Sequence, residues 1–418
     1  MTRRRRSTVC GRAVFAVVTA FGALVGTVVV GAAPASARPS TVTAVAPGVT
    51  YESRDLQVAK GPTRVHLLSV DLRAPGVRLG LLYPGKVASR AAVSVMADGQ
   101  GAVAGVNGDF FNISETQHPG VEATGASVGP AIADGKVLKS AVPDGQRFGP
   151  ALPPGTGTED VLTVGWDRRA RLERLTLKGW AGGGRDRMAL GGLNQYALPV
   201  GSIGAFTADW GSASRVRATC GTDSDRGAPC TTDTYEVTVR GGRVVSTAER
   251  PGGGAIAAGS TVLVGREAGA RRLRAYEVGE RLRVGHRLVA TGRRQPYRLA
   301  VGGYPVLRDG RPLPGLDDRT AAVRTGAGIA DGGRRLLLFA VDGSPGYAGL
   351  TIAEVAGLLR QWGAVQGFSL DGGGSSTLVA RDAGSASVTV RNHPSGGAER
   401  AVPNGIGVFS ATASASAG

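Results

Sequence analysis

Residues 334–380, RRLLLFAVDGSPGYAGLTIAEVAGLLRQWGAVQGFSLDGGGSSTLVA, decide the fold that the sequence predicts. An apolar run at 336–341 ends in Asp342-Gly343, and a second run at 365–370 ends in Asp371, three glycines and two serines. Between the runs, apolar residues at 352, 355, 356 and 359 have the spacing of a helix that packs on one face. The segment therefore predicts a strand, a helix, a second strand and a glycine-rich turn.

The helix in this segment has clear predicted ends. Thr351 and Glu354 form a capping box, in which each side chain accepts a hydrogen bond from a main-chain N–H that the helix leaves free. Gly363 stands where a left-handed residue ends a helix. Because a helical crossover makes two strands of one sheet parallel, we expect Asp342 and Asp371 at the same sheet edge. Two carboxylates at that edge make a candidate catalytic site.

The turn after Asp371 predicts a binding site for an anion. Glycines there allow positive φ and remove side-chain bulk, so main-chain N–H groups can converge on an anionic oxygen, and the serines add hydroxyl donors. The predicted substrate-binding residues of this turn are Gly372, Gly373, Gly374, Ser375 and Ser376. The alternative is that each Asp-Gly pair is only a turn signal.

A second polar cluster follows the apolar run at 102–106. It consists of Asn107, Gly108 and Asp109, and Phe110 comes next. The carboxylate and the amide can hold sugar hydroxyls or a cation, and Phe110 can face a sugar ring. The cluster is therefore a candidate binding corner, with Asp109 as a third catalytic carboxyl. The alternative is a turn followed by phenylalanines that belong to the core.

Residues 1–37 have the features of a signal peptide. Basic residues at 3–6 and 12 precede a long apolar stretch, and Ala35-Ser36-Ala37 forms a cleavage motif. We expect cleavage after Ala37 and a secreted or cell-wall-associated protein. The apolar stretch is longer than in most signal peptides, so an uncleaved membrane anchor is the alternative. Contact with a membrane is expected only in that case.

The charge of the chain is strongly basic. The formal net charge is +17, and removing the five Arg of residues 1–37 leaves +12. No run of basic residues interleaved with aromatics occurs after residue 37, so nucleic acid is not an expected partner. Phosphate-bearing glycans or anionic cell-wall polymers are the expected partners. The alternative is that the charge only keeps the surface soluble.

The cysteines predict a disulfide rather than a metal site. Cys220 and Cys230 remain after the leader is removed, and they enclose a polar loop. In an exported protein such a pair is typical of a disulfide. The four histidines are scattered along the chain, so a zinc site is not expected.

The predicted fold class is α/β (mixed α+β). It consists of a mixed sheet with the strand–helix–strand unit at the catalytic core and of a β-rich insert with short apolar runs between glycines. The predicted divisions are a signal peptide at 1–37, the N-terminal part of the catalytic domain at 38–150, the insert with the disulfide at 151–299, the C-terminal part of the catalytic domain at 300–410 and a disordered tail at 411–418.

Several motifs, in this order along the chain, resemble those of the phosphodiester glycosidase family. They are NGDFFN, GGYPVLRDG, RTGAGI, FAVDG, SLDGGGSSTLV, NHPS, ER and PNGIGVF. The resemblance is closest over residues 300–409. It implies hydrolysis of the bond between a sugar anomeric carbon and a phosphate-ester oxygen. It also implies a site lined by Asn107, Asp109, Arg324, Asp342, the turn at 371–376 and Asn404. Tyr304 departs from the pattern, in which a smaller residue is expected.

Two other functions stay open. A metal-dependent phosphodiesterase would use Asp109, Asp342 and Asp371 as ligands of a divalent cation, which prefers oxygen ligands. A non-catalytic protein would bind anionic wall polymers through its basic surface. A divalent cation is therefore an open cofactor, and the sequence indicates no other.

Overall fold

The computed structural model describes residues 42–183, 186–290 and 296–410. The predicted signal peptide at 1–37, its cleavage point and the predicted disordered tail at 411–418 lie outside these residues. Strands and helices are numbered below along the chain. Among the described residues, no helix is long and apolar enough to cross a membrane.

The first sheet has eight strands and contains the segment with which the sequence analysis began. Every strand pair in it is antiparallel. In spatial order its strands are β1 (Thr43–Ala46), β2 (Val49–Val58), β3 (Gly61–Asp71), β20 (Arg335–Val341), β19 (Thr325–Ala330), β21 (Gln366–Leu370), β17 (Tyr304–Arg308) and β18 (Arg311–Pro312).

The second sheet has eleven strands and takes up the middle of the chain. Its one parallel pair among the described residues joins the strands at 186–193 and 203–207. In spatial order its strands are β13 (Arg243–Ala248), β12 (Thr234–Arg240), β14 (Ser260–Arg266), β11 (Ile203–Thr207), β10 (Asp186–Leu193), β9 (Ala170–Gly183), β8 (Asp160–Gly165), β16 (Tyr297–Gly302), β6 (Ala131–Ala133) and β7 (Lys136–Lys139), while β15 (Arg283–Ala290) pairs with β9.

The third sheet has five antiparallel strands, and α-helices are few. The strands are β23 (Val388–Val390), β22 (Leu378–Arg381), β5 (Ala104–Asn107), β24 (Gly405–Phe409) and β4 (Arg78–Leu82). The α-helices of the described residues are α1 (Val93–Gln100), α2 (Ala268–Leu273) and α3 (Ile352–Gln361).

The chain is therefore mostly β, and the predicted α/β class is not confirmed. The helix α3 follows β20 and precedes β21, as predicted, and its capping box between Thr351 and Glu354 is present. The two strands do not pair with each other, because β19 lies between them and is antiparallel to both. They run in the same direction within an antiparallel sheet, so the parallel pairing expected of an α/β fold does not form.

One apolar core joins the three sheets. It contains Leu338 from the first sheet, Leu162 from the second and Val408 from the third. All six residues of β20 from 336 to 341 are buried, which explains why its sequence is apolar without alternation. The predicted division of the chain at 150/151 and 299/300 stays a prediction. The predicted disulfide between Cys220 and Cys230 is present.

Candidate active site

The strands β20 and β21 bring Asp342 and Asp371 to one edge of the first sheet. Thr325, at the start of β19, pairs with Ala340 of β20 on one side and with Leu370 of β21 on the other. Since neighbouring strands lie ~4.8 Å apart, the main chains of these two strands are separated by ~10 Å at this edge. Asp342 lies two residues after Ala340, and Asp371 comes directly after Leu370. The edge therefore holds both carboxyls, with the start of β19 between them.

Asp342 is buried and held by several donors. Its Oδ1 accepts a hydrogen bond from the main-chain N–H of Ser344 at 2.8 Å. Its Oδ2 lies 3.1 Å from His66 Nε2 and accepts a longer bond, of 3.3 Å, from the N–H of His393. Burial favours the protonated form, but these hydrogen bonds outweigh it and hold the pKa of Asp342 below its usual value. Asp342 is therefore an ionised, oriented carboxylate at neutral pH.

His66 is a neutral partner of Asp342. Tyr51 Oη lies 2.8 Å from His66 Nδ1, so the hydroxyl can donate to that nitrogen while Nε2–H donates to the carboxylate. Burial lowers the pKa of His66, although the hydrogen bond to Asp342 opposes this effect. The Tyr51 ring also stacks on the imidazole, with ring centroids 6.1 Å apart. The row of three side chains fixes the direction of the Asp342 carboxylate.

Asp371 has the opposite electrostatic character. Burial raises its pKa to about 7, and the negative charge of Asp109 adds to this shift, while a hydrogen bond from Ser375 and the charge of Arg400 oppose it. Ser375 is itself held by Arg400, whose Nη1 donates to the serine Oγ at 3.3 Å. A carboxyl with a pKa near 7 can give or take a proton at neutral pH. Asp342 and Asp371 thus differ in the way that acid and base partners commonly do.

Asp109 lies deeper than the other two carboxyls. It is 2% exposed, and its Oδ2 accepts a hydrogen bond from the main-chain N–H of Gly129 at 2.6 Å. Its Oδ1 is also buried, and the main-chain N–H of Phe110 stabilises the carboxylate as well. Burial raises the pKa of Asp109, and the ammonium group of Lys139 opposes that shift. The three carboxyls that the sequence singled out therefore occur in three different environments.

Asn107 and Asn404 brace the main chain around these carboxyls. Asn107 Nδ2 donates to the carbonyl oxygen of Asp371 at 2.7 Å, and its Oδ1 accepts from Thr325 Oγ1 at 2.8 Å. Asn404 Oδ1 accepts from the N–H of Asp109 at 2.9 Å. Both side chains are almost fully buried. Each amide therefore positions a predicted catalytic aspartate through its backbone.

The glycine turn is less open than its sequence predicts. The N–H groups of Gly373, Ser375 and Ser376 donate to carbonyl oxygens inside the fold, so these three are not free to converge on an anion. Ser376 is fully buried and lies within hydrogen-bond distance of Thr325. Among the turn side chains, Ser375 is the one in contact with both Asp371 and Arg400. A side chain on Gly374 would collide with the Arg400 guanidinium, so glycine at this position allows the arginine to lie over the turn.

Arg324 and Arg400 both lie next to the glycine turn, and the sequence analysis predicted a site role for Arg324 alone. Arg324 is the predicted one, and its Nε and Nη2 donate to the carbonyl oxygens of Leu350 and Thr320. Arg400 is exposed, and its guanidinium faces Ser375 and the charge of Asp371. Arg400 is therefore the cation more available to a ligand above the glycine turn.

Phe110 and Tyr304 form an aromatic layer next to Asp109. Their rings are stacked with centroids 5.8 Å apart, and both residues are buried. The Arg147 guanidinium lies 5.0 Å from the centroid of Phe110 and 5.7 Å from that of Tyr304. Phe110 thus packs in the core, which is the position that the alternative prediction of a turn followed by core phenylalanines gives it. Tyr304, the departure from the family pattern, fills the space against Phe110.

The three carboxyls do not come together as ligands of one ion within the parts of the chain that the structure describes. There, His, Cys and acidic side chains are grouped closely enough only at His118, Cys220 and Cys230. The two sulfurs of that group form the disulfide, and both ring nitrogens of His118 face acceptors, Glu115 and the carbonyl oxygen of Ala228. The site geometry therefore gives no support to a cation shared by Asp109, Asp342 and Asp371.

The sequence analysis missed His66, Arg400, Arg147 and Lys139. His66 stands inside an otherwise apolar run of β3, and a polar residue in such a run is a signal that could have been used. Arg400 belongs to the ER motif but was given no role. Arg147 lies within a proline- and glycine-rich stretch, residues 143–157, in which nothing marks it. Lys139 ends the short strand β7 and looks like a surface residue in the sequence, although it is 1% exposed.

Comparisons with known proteins agree with the resemblance. A sequence profile of the family described as phosphodiester glycosidase matches residues 233–409. A hypothetical protein from Synechocystis has a similar fold, with a TM-score of 0.67 and 20% identity over 90% of this chain, which spans 64% of the length of that protein. A protein of Burkholderia pseudomallei K96243 that is named as exported has a TM-score of 0.62 and 24% identity, covering 84% of this chain and 75% of its own. At these identities the likeness shows the fold alone.

A zebrafish N-acetylglucosamine-1-phosphodiester alpha-N-acetylglucosaminidase catalytic domain, auto-inhibited by its pro-peptide, is also similar. It is 16% identical, with 88% of this chain and 87% of that chain covered, and its TM-score is 0.43. No curated protein sequence matches the chain. The motifs at 300–409 and the profile match cover the same part of the chain, which includes Arg324, Asp342, Asp371, Arg400 and Asn404. Over residues 233–409 the chain is therefore similar to the phosphodiester glycosidase family.

Proposed function

We propose that this protein hydrolyses the glycosidic C–O bond of a sugar-1-phosphodiester. The observation that carries the proposal is the pair of unlike carboxyls at one sheet edge, Asp342 and Asp371, within a segment that matches phosphodiester glycosidases. In this reaction the bond between the anomeric carbon and the phosphate-ester oxygen breaks, and its electron pair leaves with the phosphate. Water supplies the hydroxyl group of the released sugar, and the phosphate leaves as a monoester of its other alcohol.

Asp342 faces the anomeric carbon in this proposal. Glycoside cleavage passes through a state with positive charge on the sugar ring, and an ionised carboxylate stabilises that charge. His66 and the N–H groups of Ser344 and His393 hold the carboxylate ionised and in one orientation. A fixed charge of this kind needs no reorganisation when the reaction occurs.

Asp371 transfers the proton. Its pKa of about 7 leaves a large protonated fraction at neutral pH, so it can protonate the departing phosphate oxygen. Arg400 is placed to neutralise the phosphate, since its guanidinium lies beside Ser375 and Asp371. Arginine suits this task because its planar guanidinium can bind two phosphate oxygens at once.

The substrate in this proposal is a cell-surface or extracellular glycan. The leader at 1–37 supports export, and the surplus of basic residues supports attraction to phosphate-bearing polymers. The released product would then be a sugar or a chain-terminal glycosyl residue with a free anomeric hydroxyl.

The test is hydrolysis in ¹⁸O-labelled water. Purified protein is incubated with a panel of sugar-1-phosphate methyl diesters, and the products are analysed by mass spectrometry. We expect the label in the anomeric hydroxyl of the sugar and none in the phosphate. Label in the phosphate would mean P–O cleavage and would replace this proposal with a phosphodiesterase.

Two variants complete the test. Asp371→Asn should abolish release of sugar, whereas Asp318→Asn should not, because Asp318 and its partner Arg319 are both exposed. Tight binding of an anionic polymer without release of sugar from any diester would instead favour the wall-binding function.

A further inference from the structure

Lys139 is a fully buried cation whose ammonium group touches main-chain oxygen atoms. It ends β7 and is 1% exposed. Its Nζ donates to the carbonyl oxygens of Val128 at 3.2 Å and of Ser140 at 2.9 Å, and also to that of Gly129. A buried ammonium is costly unless an opposite charge and hydrogen bonds compensate it. The carbonyl oxygens accept hydrogen bonds from the ammonium group, and Asp109 supplies the nearby opposite charge.

A single peptide group connects this cation to Asp109. The carbonyl oxygen of Val128 and the N–H of Gly129 belong to the same peptide unit. Lys139 donates to that oxygen, and the N–H donates to Asp109 Oδ2 at 2.6 Å. Hydrogen bonds that run in series polarise one another, so the ammonium makes this N–H a stronger donor to the carboxylate. The arrangement acts on Oδ2 of Asp109, and the main-chain N–H of Phe110 also stabilises the carboxylate.

The charges around Asp109 come from several elements. Lys139 and Arg147 favour its ionised form, and burial disfavours it. Asp371 lies close enough for the two negative charges to interact, and Tyr196 also lies within reach of the Asp109 charge. Burial lowers the pKa of Lys139, while Asp109 opposes that shift. Each member of the pair therefore favours the charged form of the other.

We propose that Lys139 is a positioning residue which, through the peptide between Val128 and Gly129, holds the Asp109 carboxylate in its ionised form and in one orientation. The inference deepens the proposed function, on which its kinetic part rests. Lys139 does not touch the substrate and acts only through Asp109.

The test compares Lys139→Met with the unchanged protein by ¹³C NMR of the aspartate carboxyls, with the Asp109 signal assigned from Asp109→Asn. Removing an opposite charge raises the pKa of a carboxyl, so we expect the Asp109 titration to move up by ~1–3 pH units. The acidic limb of the kcat/KM profile should move in the same direction. Lys139→Arg keeps the charge and should move both less. A folded Lys139→Met protein with an unchanged Asp109 titration would overturn the proposal.

The double variant Lys139→Met/Asp109→Asn covers the case in which Lys139→Met does not fold. The double variant removes both buried charges, so we expect it to fold and to have the activity of Asp109→Asn alone. If it also fails to fold, or if Lys139→Met lowers activity further in the Asp109→Asn background, Lys139 does not act through Asp109. The NMR titration needs no substrate. A protein that hydrolyses no diester would therefore refute the proposed function while the titration still decides the role of Lys139.

Discussion

His66 Nε2 lies 3.1 Å from Asp342 Oδ2, although 276 positions separate the two residues in the chain. Antiparallel pairing of β3 with β20 produces this contact, because it sets His66 opposite Ala340, two residues before the aspartate. Both side chains are almost fully buried. The contact is therefore a consequence of sheet topology, and it gives Asp342 a fixed partner on its apolar side.

His66→Phe should slow the reaction and shift its pH dependence. Phenylalanine preserves the stacking on Tyr51 but donates no hydrogen bond to Asp342. Loss of one donor raises the pKa of the carboxyl, so the acidic limb of kcat/KM should move to higher pH. Loss of orientation should lower kcat/KM by ~10- to 100-fold, since small misplacements of a reacting group have such effects. The measurement is kcat/KM against pH.

Tyr51→Phe is the matched control for this experiment. It removes the hydroxyl that contacts His66 Nδ1 and keeps both the ring and the bond from His66 to Asp342. We expect a much smaller effect on kcat/KM. A well-folded His66→Phe protein with the pH profile of the unchanged protein would show that His66 is only a core residue.

The sequence predicted those features of the site that depend on neighbouring residues. The helix α3 has its capping box and its apolar spacing within twelve residues, so local rules were sufficient. The same crossover implied that the two aspartates lie at one edge. This holds even though the predicted α/β class is not confirmed, because the two strands still run in the same direction.

The strand β19 shows why the sheet class could not be predicted. Its sequence, TGAGIA, contains two glycines and looks like a loop. In the structure a side chain at Gly326 would come within 2.7 Å of the Phe339 ring and 2.9 Å of the carbonyl oxygen of Phe368. Glycine there marks a close approach of buried neighbours rather than a turn. Nothing local shows that this strand inserts between β20 and β21.

Arg400→Ala should weaken phosphate binding more selectively than Arg324→Ala. Arg400 is exposed and donates a hydrogen bond of 3.3 Å to Ser375, so its loss should leave the fold intact. We expect the inhibition constant of inorganic phosphate to rise on the order of 10-fold, as for loss of a charge-assisted hydrogen bond. Inhibition kinetics at constant ionic strength measure this change.

Arg324→Ala was expected from the sequence to weaken phosphate binding and the rate. In the structure two of its nitrogens hold carbonyl oxygens, so its loss should also lower the melting temperature. Arg319→Ala, whose side chain is 94% exposed, is the control for the overall charge. If Arg319→Ala raises the inhibition constant of phosphate as much as Arg400→Ala does, the change reflects the net charge of the protein and not a contact between Arg400 and phosphate.

Replacing both cysteines of the disulfide by serine should reduce stability more than activity. The disulfide closes a loop of sequence separation 10 in the middle of the chain, and neither cysteine is a predicted catalytic residue. Removal should lower the free energy of unfolding by about 2–4 kcal/mol. Denaturant unfolding and kcat/KM are the two measurements. Lost turnover at unchanged stability would contradict the prediction.

The leader should be removed after Ala37. N-terminal sequencing of the secreted protein should begin at Arg38, because the Ala35-Ser36-Ala37 motif follows the apolar stretch directly. Material that still begins within the apolar stretch would show a retained anchor. An Ala37→Leu variant is the control, since it alters the cleavage motif and should delay removal of the leader.

Asp371→Asn should lose turnover and gain stability at the same time. An asparagine is nearly the same shape but cannot donate the catalytic proton, so we expect a loss of ~10²-fold or more in kcat. The stability change follows from proton binding. The pKa of Asp371 is about 7 in the folded protein and 3.8 as its ordinary value. Between these values the folded state binds more protons than the unfolded state, so this group makes the protein less stable as the pH rises from about 4 to 7.

An asparagine side chain does not titrate, so the Asp371→Asn protein does not lose stability in this way as the pH rises. The stability advantage of Asp371→Asn should therefore be absent near pH 4, grow up to about pH 7 and stay constant above it. Its size should be on the order of 2 kcal/mol, below the ~4 kcal/mol of the full shift, because the bond from Ser375 and the attraction of Arg400 are weakened as well. Melting curves from pH 4 to 8 give the difference, with Asp318→Asn as the surface control. A turn aspartate would behave in the opposite way, since its replacement would lower the melting temperature and leave turnover near normal.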